Sequence, residues 1–246
     1  MKTELKKEFL EKWKKYFGSA ELPITFYFTD EENRAQRNKP AKGHQCVIGV
    51  LSRVRGGTPI YFDETTVGCG GGKRCFGFPF ETDANFKYFL STGIPGKLEG
   101  ERYKKTPDLV EQIRTGWDQF KAPAKNIVFK RWDQLEDGDH PEVVIFFANA
   151  NVLSALFTLA NFDQVEPAVH TPFGAGCSSI VQNPYLEKNA ENPRCVLGMF
   201  DISARPFVEK DVLSFAIPMK KFETMVDNMD ESFLITRSWE RVKKRL

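Results

Sequence analysis

The chain holds only three histidines and five cysteines in 246 residues, and no two cysteines stand at a C-x-x-C spacing. That spacing is the usual local clip of zinc ribbons and redox motifs, so a metal here needs thiols from distant segments. No H-E-x-x-H helix, P-loop or G-x-G-x-x-G fingerprint is present, and a zincin, a P-loop NTPase and a dinucleotide fold have no sequence support. Charge of one sign is missing too. Thirty-five Lys and Arg stand against 33 Asp and Glu, a formal net charge of +2. No nucleic-acid partner is expected from that balance, and the basic stretches "KKEFLEKWKK" and "RVKKRL" read as solvated helix faces. The first residues, "MKTELKKEFLEKWKKYF", lack the apolar centre of a signal peptide. The longest apolar run, "VVIFFANANVLSALFTLANF" at 143–162, carries Asn149, Asn151 and Asn161 and changes period at Asn149. It reads as a buried strand passing into a buried helix rather than a membrane span. The expectation is a cytoplasmic protein without a membrane partner, its cysteines kept as thiols or metal ligands rather than disulfides.

What is present suffices for a sizeable core: 41% hydrophobic residues, 22 of all residues being phenylalanine. Leu5, Phe9, Trp13 and Phe17 recur at helical spacing and predict an opening amphipathic helix. "LPITFYFT", "TPIYFDE", "NIVFKRWDQL" and "PEVVIFFAN" read as strands. "QCVIGVLSRVRGG" fits a strand or a helix stopped at Gly56-Gly57. "ANFKYFLSTG", "TPDLVEQIRTGWDQF" with Thr106 as cap, "ANVLSALFTLANF" and "CSSIVQNPYLE" read as helices, and "DEENRAQRNKPAKGHQ" as a loop. Strands and helices interleave without a strict βαβ rhythm. The fold class is therefore α+β, a mixed or antiparallel sheet with flanking helices. One domain over 1–246 with terminal helices at 1–17 and 237–246 is expected, and two pseudo-related lobes are the alternative. An internal echo, "CVIGVLSRVRG" from Cys46 and "CVLGMFDISAR" from Cys195, raises that alternative, but its order relative to the glycine loops is reversed between the halves, so it is not a tandem repeat.

The glycines concentrate beside cysteines. "VGCGGGKRCFGF" at 67–78 places Cys69 and Cys75 around a glycine run, and "TPFGAGCSSIV" at 171–181 places Cys177 after Gly174 and Gly176. Together with "EVVIFFANANVLSALF", "GAGCSSIVQNP", "RCVLGMFDISAR" and "LSFAIPMKKFETMV", this order of motifs resembles the DUF169 family of prokaryotic proteins over about 40–229. The resemblance implies a compact soluble α+β domain and brings no reaction. The family-like cysteines map to Cys46, Cys69, Cys177 and Cys195, with Cys75 an extra.

Three functions follow as expectations. The first is cysteine ligation of zinc or an iron–sulfur cluster by Cys46, Cys69, Cys177 and Cys195, with the two glycine loops facing a shared cleft. The second is a small anionic ligand held by the amides of Gly68, Gly70, Gly71, Gly72, Gly174 and Gly176, with Lys73 and Arg74 or a further arginine (Arg53, Arg55 or Arg205) and with Asn149 at the strand-to-helix handover. The third is a thiol enzyme in which Cys177, at a helix start, is the nucleophile and His170 its base.

Overall fold

The computed structural model describes residues 3–31, 35–39, 42–115 and 120–246. Its eight described strands form one mixed sheet in the order β2-β3-β4-β1-β5-β8-β7-β6. They are β1 (Ile24–Thr29), β2 (Gln36–Arg37), β3 (Ile60–Asp63), β4 (Asn126–Arg131), β5 (Val143–Ala148), β6 (Val169–His170), β7 (Cys195–Gly198) and β8 (Leu213–Pro218). Helices cover both faces, and the α+β class stands. The loop expected at 30–45 and the C-terminal part of the helix expected at 106–120 lie partly outside the described residues.

Burial alternates along the strands because successive side chains point to opposite faces. In β5, Val143, Ile145 and Phe147 enter one core, and Val144, Phe146 and Ala148 enter the other. The second core is built by four helices: α1 (Thr3–Phe17), α6 (Ala150–Ala160), α8 (Met219–Asp227) and α9 (Arg237–Lys243). In α1, Phe9, Trp13, Tyr16 and Phe17 are buried, and the Trp13 and Phe17 rings stack 4.1 Å apart. The first core takes α2 (Val47–Arg55), the short α3 (Gly70–Cys75) and a helical segment spanning 176–187. That segment contains a π-turn over Ser178–Gln182 and ends in α7 (Asn183–Glu187). The remaining described helices, α4 (Phe86–Phe89) and α5 (Pro107–Thr115), lie between α3 and β4 in the chain. The Thr106 hydroxyl caps α5 by accepting from the Leu109 amide at 3.3 Å.

The two halves of the chain repeat one strand topology. Outward from the centre, the first half runs β1-β4-β3-β2 and the second β5-β8-β7-β6. In each half the first three strands outward pair antiparallel and the short edge strand pairs parallel. The halves join where β1 and β5 pair antiparallel, Ile24 opposite Ile145. Between the second and third strands of each half a helix packs on the same face of the sheet: α2 in the first, 176–187 in the second. The true counterparts are thus "GHQC", ending at Cys46, and "GAGC", ending at Cys177. The echo between "CVIG" and "CVLG" is not structural: the first begins α2 and the second is strand β7.

Candidate functional site

Three helices begin at cysteines. Cys46 is the N-cap of α2, Cys69 the N-cap of α3, and Cys177 lies in the first turn of the 176–187 segment. All three, with Cys75, pack into the first core. They lie close enough that Cys75, Cys69 and Cys46, in that order after burial itself, push the Cys177 thiol well above its ordinary range. The glycine run expected as a loop is in fact the helix α3, and close packing selects its glycines. A Cβ on Gly70 would fall 2.4 Å from the Phe80 ring. On Gly72 it would fall 2.8 Å from Val47 and 3.0 Å from the Cys69 sulfur. Gly71 alone in the run faces open space.

Two of the amides expected to hold an anion, those of Gly72 and Gly176, already have acceptors within the protein. The Gly72 N–H donates to Cys69 Sγ at 3.1 Å, and the Lys73 N–H donates to the Cys69 carbonyl at 3.0 Å. Gly68 contributes its carbonyl, which accepts from the Gln45 N–H at 3.1 Å. At the second loop the anion is the protein's own: the Gly176 N–H donates to Asp201 Oδ2 at 3.0 Å. Sequence reasoning passed over Asp201, although "DIS" is an Asx-turn signature. The Ser203 amide and hydroxyl both donate to Asp201 Oδ1, at 3.0 and 2.8 Å. Gly174 is needed for space, since a Cβ there would meet Ser178 Oγ at 2.6 Å.

Other expected residues serve the fold. Asn149 caps α6, its Oδ1 accepting from the Asn151 and Val152 amides at 3.1 and 3.3 Å. Arg55 forks onto Glu21 and Glu209, Arg53 reaches Gln36, and Arg205 donates to the carbonyls of Val212, Glu209 and Lys210. Cys195 is absent from the thiol group. It lies in the core on the opposite face of the sheet, and burial pushes its thiol up to about 12. The four-thiol set is therefore split by the sheet, because the side chain of Cys195 points away from that of its neighbour Val196 in the strand. Among the described residues, no group of three or more His, Cys, Asp or Glu is placed to hold a metal ion. His170 does not approach Cys177. Its Nε2 lies 3.7 Å from Glu187 Oε1, ten residues beyond Cys177 at the other end of the helical segment. Burial first, then Arg194, lowers the His170 pKa, with Glu187 opposing.

Of the two cations expected at the glycine run, Lys73 and Arg74, it is Arg74 that lines a cleft. One side of α3 faces the thiols, while Arg74 lines an open cleft of about 1070 Å³. Its guanidinium donates to Gln182 Oε1 at 3.2 Å, and Gln182, from the π-turn, is 5% exposed. Phe78, Phe80 and Phe120 form apolar walls of the cleft. Arg37, Arg114, Lys121 and Lys125 add cations, against the carboxylates of Asp30, Asp63 and Glu64. Arg37 is matched by Asp63 at 2.7 Å and Arg114 by Glu111 at 3.2 Å, and the other lining charges are Arg74, Lys121 and Lys125 against Asp30 and Glu64, net positive. The cue in the sequence was the alternation "RCFGFPF", which puts one cation next to spaced aromatics.

This fold and site define an α+β protein with a thiol group buried beneath one face of its sheet and a basic, aromatic-walled cleft beside it. The chain belongs to the DUF169 family, described as "Uncharacterised ArCR", whose family model matches residues 13–228. That family is one of unknown function. Comparison with curated proteins and with solved structures finds no match. Among the described residues no helix is long and apolar enough to cross a membrane.

Proposed function

We propose that the protein binds a small organic anion with an apolar or aromatic body in the Arg74 cleft. The observation that carries this reading is the lining itself: five cations against three carboxylates, with three phenylalanines, around one cavity of about 1070 Å³. Apolar walls with a few fixed polar groups are what small-molecule sites use. Arginine binds carboxylate or phosphate through two parallel N–H donors, and its hydrogen bond to Gln182 orients the guanidinium. The reading keeps the anionic ligand expected from the sequence but moves it from the glycine amides to the cleft.

The test uses 8-anilinonaphthalene-1-sulfonate as probe, with inorganic phosphate as competitor. Saturable one-to-one fluorescence enhancement is expected. Arg74→Gln should weaken it about 10- to 100-fold, the worth of a charge-assisted hydrogen bond, and Phe80→Ala should weaken it several-fold. Equal affinity in wild type and both variants would remove the reading.

A second reading rests on Cys46, Cys69, Cys75 and Cys177 being neighbours in one core. A zinc ion or iron–sulfur cluster would need several of these thiols to ionise against burial, and Cys195 takes no part. Metal content and the visible spectrum of protein purified without oxygen decide it: stoichiometric zinc or iron supports it, and a colourless metal-free protein removes it.

A further inference from the structure

Five thiols are present, and two of them differ from the rest. Cys75, Cys177 and Cys195 are buried, while Cys46 and Cys69 are partly open to solvent. The Gln45 N–H donates to the Gly68 carbonyl at 3.1 Å, which ties together the residues immediately before these two cysteines. The Cys69 sulfur accepts from the Gly72 amide at 3.1 Å, and it shares the space over Gly72 with the Val47 side chain: a Cβ added at Gly72 would fall 3.0 Å from the sulfur and 2.8 Å from Val47. The sulfur of Cys69 therefore lies close to Val47, the residue that follows Cys46. Both residues occupy N-cap positions, so each sits at the start of a helix.

We propose that Cys46 and Cys69 are a redox-active dithiol whose substrate is a disulfide. The pair does not depend on the cleft reading, because neither cysteine lines the cleft. The Cys46 side chain makes no cap hydrogen bond and is free to attack first. Its thiolate, after losing its proton to solvent, attacks one sulfur of R–S–S–R. A mixed disulfide forms and the first R–S⁻ leaves. The Cys69 thiolate then attacks the Cys46 sulfur of that mixed disulfide and expels the second R–S⁻. Both leaving thiolates take up the protons released by the two cysteines. The protein dithiol loses two electrons, and the substrate disulfide gains them as two thiols. Burial raises the Cys69 pKa while the Gly72 and Val47 amides oppose it, which suits Cys69 to the resolving step, where the attack is intramolecular. Gly72 is a positioning residue: a Cβ there would lie 3.0 Å from the Cys69 sulfur and displace it.

Reduced full-length protein is equilibrated without oxygen in glutathione buffers of rising oxidised fraction, quenched by alkylation and mapped by mass spectrometry. The expected product is a Cys46–Cys69 disulfide with a single midpoint, retained in Cys75→Ser, Cys177→Ser and Cys195→Ser. Stopped-flow reduction of bis(2-hydroxyethyl) disulfide should slow at least 100-fold in Cys46→Ser. In Cys69→Ser the reaction should halt at the mixed disulfide on Cys46. Gly72→Ala should shift the midpoint several-fold in the glutathione ratio while leaving the circular dichroism spectrum unchanged. A disulfide joining other cysteines, glutathione adducts without an internal bond, or equal rates in Cys46→Ser and wild type would each overturn the proposal.

Discussion

At the residue scale, the largest stake is a buried ion pair. Lys130 and Asp139 are 3% and 5% exposed, with Lys130 Nζ 2.9 Å from Asp139 Oδ2. The Tyr27 hydroxyl and the Glu136 amide also donate to this carboxylate, at 2.5 and 2.7 Å. Removing Asp139 leaves the buried Lys130 with the more exposed Glu136 carboxylate, 3.3 Å away, as its remaining counter-charge. Asp139→Ala should therefore destabilise by about 3–5 kcal/mol in urea unfolding. The same site sets part of the acid limb. Burial pushes the Asp139 carboxyl up, but Tyr27, the Glu136 amide and Lys130 outweigh it and hold the group below the usual range. Its contribution is thus full above the unfolded-chain value of about 3.9 and is lost as pH falls through the lower folded value. Asp139→Asn should flatten the loss of stability measured between about pH 5 and pH 2. An acid limb identical to wild type would contradict the assignment.

At the element scale, two helix starts can be tested separately. Asn149 satisfies two amides of α6, and Asn149→Ala should cost about 0.5–2 kcal/mol without touching ligand binding, since the side chain is exposed and capping is its only observed work. Gly198, on β7, packs against Ser179 of the 176–187 segment. A Cβ there would lie 2.2 Å from Ser179 Cβ, so no rotamer change relieves the clash. Gly198→Ala should destabilise by about 1–3 kcal/mol, as overpacking does. Because the segment carries both Cys177 and Gln182, the same variant should loosen the Arg74 cleft, read as weaker probe binding. Unchanged stability and unchanged binding would show that the helix slides without penalty. The sequence announced most elements: the apolar run through Asn149 is the strand and helix it suggested, and Gly56-Gly57 does end a helix. The glycine run beside Cys69 misled, because glycine signals a turn locally but here provides the contact distance to Phe80 and Val47.

At the scale of the whole molecule, the repeated strand order makes the two halves topological equivalents that share one sheet. The central β1–β5 pairing, together with a core that draws on strands of both halves, couples them. We predict that far-ultraviolet circular dichroism and tryptophan fluorescence report coincident urea transitions, and that a fragment ending between β4 and β5 fails to fold. Two separated transitions would mean that the halves are independent units. The amphipathic α1 belongs to this scale as well: it comes first in the chain yet packs on Phe222 of α8 and, through Phe17, on Trp239 of α9. Those closing helices complete the second core.

The sequence by itself determined the α+β class, the family, most helices and strands, and the central place of the cysteine-bearing segments. Those properties follow from local period, capping residues and short motifs, all of which act over a few positions. Only the tertiary structure decided which thiols meet. One residue of register in β7 sends Cys195 to the far core and Val196 to the near one, so the pleat removes a ligand that spacing alone would have kept. It also decided that Asp201 fills the amide site at Gly176 and that Arg74 meets Gln182 and Phe120 at one cleft. Each of these depends on segments separated in the chain meeting in space, which no local pattern encodes.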